Sequence, residues 1–147
     1  MVGHTAGDLQ TVTNALGKVT QYTQYDKAAH VLTMIDPNQV TTTMAYWPRG
    51  WLHTTTVGGQ TTTYDYWPTG LLKRVTQPDA SFITYTYDDA HRLTDITDNL
   101  GNSVHHDLDN AGSRLHEKTN DPSSALQRQL DRIFDALGRI QQTTGRE

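Results

Sequence analysis

The sequence predicts an all-β protein built of tandem antiparallel β-hairpin repeats, and three observations predict it. Threonine runs (Thr41-Thr42-Thr43, Thr54-Thr55-Thr56, Thr61-Thr62-Thr63), seven tyrosines and three tryptophans favour strands, because β-branched and aromatic side chains suit a pleated, half-buried surface. A large residue recurs at near-constant spacing: Tyr25, Tyr46, Tyr66, Tyr87, Leu108 and Phe134 stand 21, 20, 21, 21 and 26 residues apart. Turn formers recur in phase with it. That period is too short for two helices with their loops, yet it holds two strands of ~6–7 residues and two tight turns.

Each unit reads as aromatic, first turn, outgoing strand, second turn and returning strand. Four residues after the landmarks come Ala29, Gly50, Gly70, His91, Gly112 and Gly138, the glycines supplying the positive φ of a tight turn. Six residues after them come Val31, Leu52, Leu72, Leu93, Arg114 and Ile140. Arg114 breaks the apolar rule, although Leu115 follows it. Second turns fall at Pro37, Gly58, Pro78 and Asn99. A partial copy from Leu9 to Tyr25 precedes the first full unit.

Tyr64/Tyr66 and Tyr85/Tyr87, two apart, share one sheet face. Leu93 and Ile96, three apart, take opposite faces of a regular strand, so either a bulge intervenes or both faces are partly covered. Residues 124–137 carry the marks of a capped amphipathic helix, with Leu126, Leu130, Ile133 and Leu137 as its apolar side. The same stretch ends in a close copy of the repeat turn, Phe134-Asp135-Ala136-Leu137-Gly138, and the repeat favours a hairpin there. The longer last spacing then places a longer loop around Asp121-Pro122-Ser123-Ser124.

These copies resemble the RHS or YD repeats of bacterial Rhs proteins, Tc-toxin components and animal teneurins. That family's unit is roughly Tyr-Asp-x-x-Gly-Arg-Leu-Thr, then a strand, then Asp-Pro-x-Gly. It stands here as Tyr87-Asp88-Asp89-Ala90-His91-Arg92-Leu93-Thr94 and Phe134-Asp135-Ala136-Leu137-Gly138-Arg139-Ile140, with second turns at Asp36-Pro37 and Asp98-Asn99-Leu100-Gly101. Tyr46-Trp47 and Tyr66-Trp67 depart from it, tryptophan replacing aspartate. The resemblance implies a curved or spiralling sheet, an arc of an RHS-type shell that encloses a polypeptide cargo such as a toxin domain. It implies a repeat segment over residues 9–145 after a leader of residues 1–8. The parent is a larger bacterial protein, secreted or at the cell surface, whose other repeats are the first partners expected.

Function classes narrow accordingly. A net charge of −4 with no basic cluster lacks the phosphate-neutralising footprint of nucleic-acid binding. The absence of cysteine rules out disulfides and cysteine-ligated zinc. No apolar run reaches the ~20 residues of a membrane span, and no signal peptide is legible. His105, His106 and Asp107 alternate between faces of a strand, which opposes a shared metal. Asp26, Asp65, Asp88, Asp109 and Asp135 recur with the repeat, as turn caps do and as a singular catalytic carboxylate does not. The expectation is a chain with no enzyme activity, cofactor or metal.

The residues singled out for structure are the six landmarks with Gly50, Gly70, Gly112 and Gly138. The candidate contact residues are Trp47, Trp51 and Trp67. They lie in the sister turns Tyr46-Trp47-Pro48-Arg49-Gly50-Trp51 and Tyr66-Trp67-Pro68-Thr69-Gly70, where indoles suit stacking on a glycan or on a protein partner. An isolated arc, with open strand edges and uncapped ends, is expected to associate with itself.

Overall fold

The computed structural model describes residues 7–146. Among them there are thirteen strands and no helix, and the strands pair antiparallel with their neighbours in the chain. The chain divides into two compact units, Met1–Asp65 with Thr76–Asp79, and Tyr66–Val75 with Ala80–Glu147. Most of the expected leader, residues 1–6, lies outside the described residues.

In the first unit β1 (Thr11–Thr13), β2 (Val19–Tyr25), β3 (Val31–Ile35), β4 (Thr41–Tyr46) and β5 (Leu52–Val57) pair in succession, and β5 pairs with β6 (Gln60–Tyr66). The β5–β6 connection is a two-residue hairpin with positive φ at Gly58 and Gly59, 56° and 83°. Both values match the type I′ turn, which follows the right-handed twist of the flanking strands. The second unit holds most of β7 (Leu72–Thr76), then β8 (Phe82–Tyr87), β9 (Leu93–Asp98), β10 (Ser103–Leu108), β11 (Arg114–Asn120), β12 (Leu126–Phe134) and β13 (Ile140–Arg146). From β8 to β13 each pairs with the next.

The first turn of every unit has one design. The backbone N–H four residues past the landmark donates to the carbonyl one residue past it, as in Gly50 to Trp47 (2.8 Å), His91 to Asp88 (2.9 Å) and Gly138 to Asp135 (2.9 Å). The fourth residue then has positive φ, whether glycine (Gly50 82°, Gly70 89°, Gly112 88°, Gly138 75°) or not (Ala29 64°, His91 63°). This is a type I turn closed by a left-handed residue and a one-residue bulge. The bulge settles the faces of β9. Tyr87 pairs with Leu93 and Tyr85 with Ile96, so the extra residue brings Leu93 and Ile96 to one face. By the same shift Arg114, not Leu115, stands opposite Leu108.

Residues 126–134 form β12, as the repeat favoured and against the helical pattern. The longer last spacing is taken up by strand length, nine residues in β12 and seven in β11. The connection at Asp121 is a tight turn with Ser124 at φ 63°, so the longer loop expected there is not formed. Asp65 lies inside β6 and caps no first turn. The apolar core is thin. Tyr25, 4% exposed, is the one buried hydrophobic residue among those described, and Thr42 and His106 are the buried polar ones.

Candidate functional site: the landmark row and its turns

The landmark tyrosines are anchors. The Tyr46 hydroxyl donates to the Val31 carbonyl at 3.0 Å and that of Tyr87 to the Leu72 carbonyl at 3.0 Å. Tyr25 reaches the Leu9 carbonyl in the same manner. Val31 and Leu72 each stand six residues past the preceding landmark. Each hydroxyl therefore ties its hairpin to the one before, and burial raises the pKa of Tyr25, Tyr46 and Tyr87. The ring does hydrophobic work and its polar tip finds a partner, as buried tyrosine requires.

Leu108 and Phe134 have no such tip. At Leu108 the carbonyl in line is that of Leu93, and the His106 ring lies beside it. His106 is 4% exposed and its pKa is lowered, first by burial and then by Arg114. It lies 3.9 Å from Glu117, its cross-strand partner, which also meets Arg114 at 2.8 Å and Arg132 at 3.7 Å. On the opposite face His105 sits between Asp95 (2.6 Å) and Asp107 (3.1 Å), Lys118 holds Asp107 at 2.8 Å, and His116 meets Asp131 at 2.6 Å. The hydrogen bonds that His105 donates, first to Asp95 and then to Asp107, raise its pKa. Adjacent histidines thus serve opposite faces, and among the described residues no cluster of three metal-ligating side chains forms.

The turn aspartates are caps. One carboxylate oxygen of Asp26, Asp88, Asp109 or Asp135 accepts from a backbone N–H four residues on, as in His30 to Asp26 (2.9 Å) and Ser113 to Asp109 (2.8 Å). The second turns repeat the device at Asp36, Asp98 and Asp121. Side-chain partners add to it, foremost His30 at Asp26, Arg92 at Asp88 and Asn102 at Asp98, and they lower those carboxyl pKa values. At Asp109 and Asp135 the backbone bond from Ser113 or Arg139 is the leading cause.

The Trp-Pro turns replace the carboxylate by another means. Pro48 and Pro68 occupy the second turn position, where a fixed φ near −65° preorganises a type I turn. The indoles reach out to the following hairpin: Trp47 Nε1 donates to the Tyr64 carbonyl and Trp67 Nε1 to that of Tyr85, each at 3.3 Å. Both remain 40% and 38% exposed. The His53 ring lies 4.0 Å from the Trp47 ring, the Lys73 ammonium 4.7 Å from that of Trp67 and the Arg49 guanidinium 5.3 Å from that of Trp51. A hollow of about 340 Å³ runs beside Trp67, Pro68, Leu71, Tyr87 and His91. Sequence reasoning had named the landmarks, the turn glycines and the indoles. It missed the anchoring carbonyls and the polar cluster at His106, which depend on cross-strand register.

Residues 66–103 match the RHS Repeat family model. The chain carries RHS repeat sequence. No curated protein matches it. Among solved structures it is similar to a TcdB2-TccC3 crystal structure, with a TM-score of 0.71 at 18% identity over 83% of this chain and 7% of that one. A TcdB2-TccC3-TEV crystal structure gives 0.73 at 16% identity, again over 83% and 7%. The Tc holotoxin pore of Photorhabdus luminescens gives 0.61 at 14% identity, over 87% and 9%. The likeness is one of fold, and this chain spans less than a tenth of those proteins' length.

Proposed function

We propose that this chain is a non-catalytic structural segment of a larger RHS-repeat protein, secreted or at the cell surface, and that it forms part of a β-shell around a polypeptide cargo. One observation carries the reading: the groups that repeat are spent on building the repeat. Tyrosine hydroxyls tie hairpin to hairpin, and aspartates cap their own turns. The RHS match and the shared fold with Tc-toxin structures support it. The segment's partners are then its neighbouring repeats and the enclosed cargo. The test is protease protection in the parent protein. Deleting residues 66–86, one repeat length, should open the wall and make the cargo cleavable, while intact parent shields it. Equal cleavage of cargo in both would end the shell reading. The isolated segment should self-associate at micromolar concentration, and a dilution-independent monomer in light scattering would contradict that.

A second reading, a glycan- or protein-binding surface using Trp47, Trp51 and Trp67, rests on the exposed Trp67 and the hollow beside it. It requires a ligand to share the ring faces with His53, Lys73 and Arg49. Glycan-array binding that is lost in Trp67→Ala would favour it.

A further inference from the structure

A hollow of about 440 Å³ opens in the second unit beside Leu108, within the ~300–1,000 Å³ range of small-molecule sites. Two departures from the repeat border it. Leucine stands where earlier units have tyrosine, and Arg114 stands where they have an aliphatic residue. The apolar wall is Leu93, Leu108, Phe134 and Ile140, and three guanidinium groups, of Arg92, Arg114 and Arg132, share the lining.

Their charges do not balance. Arg92 is held by Asp88, with 2.7 Å contacts from Nε and Nη2, and donates at 2.6 Å to the Asp109 carbonyl. Arg114 is held by Glu117 at 2.8 Å. Among the described residues Arg132 has only the same Glu117, at 3.7 Å, beyond hydrogen-bond reach, and its Nη1 is buried without a partner. Burial, with Arg114 nearby, lowers the pKa of the neighbouring His106 ring, and its Nδ1 is likewise buried and unpartnered. Three guanidinium charges thus face two carboxylates, Asp88 and Glu117, and Arg132 is the least closely paired of the three. Buried charged donors are normally satisfied, and an arginine fork matches a carboxylate.

We propose that this hollow is a binding site for a carboxylate carrying an aromatic or branched aliphatic group, the acid on Arg132 and the apolar body against Leu108 and Phe134. Such a group occurs as a free acid or as the C-terminal residue of a polypeptide. The probes are therefore 3-phenylpropionate and the peptide acetyl-Ala-Ala-Phe, each with its amide counterpart, titrated into the full chain by ¹H–¹⁵N NMR. At least one acid should bind saturably, roughly tenfold or more tighter than its amide, with shifts centred on β10–β13. Binding of 3-phenylpropionate alone assigns the site to small acids, and binding of the peptide assigns it to chain ends. Arg132→Gln should weaken the acid to the level of the amide. Leu108→Phe, which restores the aromatic found in other units and fills the hollow, should abolish binding in a chain that still folds. Equal affinity for acid and amide, no saturable binding of either acid up to about 10 mM, or undiminished binding by Leu108→Phe would overturn the proposal.

Discussion

Hairpins anchored by Tyr46 and Tyr87 and hairpins that carry Leu108 and Phe134 share a turn, a bulge and a register, yet they are closed differently. The first pair place a hydroxyl on the carbonyl six residues past the preceding landmark, at 3.0 Å in both cases. Leu108 brings no hydroxyl to the corresponding carbonyl, and His106, Arg132 and Glu117 crowd the same region. In this chain the landmark is therefore better described as a ring with a polar tip at Tyr25, Tyr46 and Tyr87 than as an apolar position. At Leu108 and Phe134, where the tip is lost, the residues two places earlier are His106 and Arg132, and a hollow lies beside both landmarks.

The largest effect expected from this contrast follows Tyr87→Leu. It removes the ring's packing and leaves the Leu72 carbonyl unpaired, a loss of about 3 kcal/mol. Leu108→Phe, the reverse exchange, should change stability by less than about 1 kcal/mol. Paired urea melts on the two variants give the comparison, and similar losses would mean that the landmark position tolerates any apolar residue. Gly50→Val comes next. At Gly50 φ is +82° and a Cβ would meet the His30 ring at 3.1 Å, so left-handed strain and crowding combine to about 2–3 kcal/mol. Gly138, with φ +75°, has nothing within 4 Å of a Cβ, and valine there should cost about 1–2 kcal/mol, by strain alone. Tyr46→Phe, which deletes only the hydroxyl, should cost about 1 kcal/mol. No loss would show that water replaces it at Val31.

Much of this was legible in the chain, because the period is carried by local chemistry. Glycine at the fourth turn position, aspartate or Trp-Pro at the start, and aromatics two apart specify turn type and face without reference to distant residues. Ala29 and His91 could be placed only by phase, since neither favours the positive φ it adopts. What was not legible depends on the bulge. One extra residue in β9 and in β11 reassigns faces, so Ile96 joins Leu93, and Arg114 rather than Leu115 meets Leu108. The polar cluster has no local signature. Glu117, Arg132 and His106 are distant in sequence and meet only through pairing.

His105 and His106 give the smallest effect and the sharpest test of that pairing. The carboxylates of Asp95 and Asp107 stabilise the charged form of His105 and raise its pKa. Its contribution to stability is thus fully present below the unfolded value of about 6.5 and is lost as pH rises through the folded value. Burial, with Arg114 nearby, opposes the charged form of His106 and lowers its pKa. That contribution is present above about pH 6.5 and is lost as pH falls through the folded value. The two slopes oppose each other, so a melt of the wild type should vary little between about pH 6 and 7 from these groups. Imidazole ¹H–¹³C titrations should separate them, with His105 titrating at higher pH than His106. Removing one should expose the other: His105→Gln should make stability fall as pH drops from about 7 to 5. In His106→Gln stability should instead fall as pH rises above about 6.5, with the carboxylates already ionised and adding no slope of their own. Coincident titrations of the two rings would place both on the same solvated face, and would remove the register on which the whole β9–β12 polar arrangement depends.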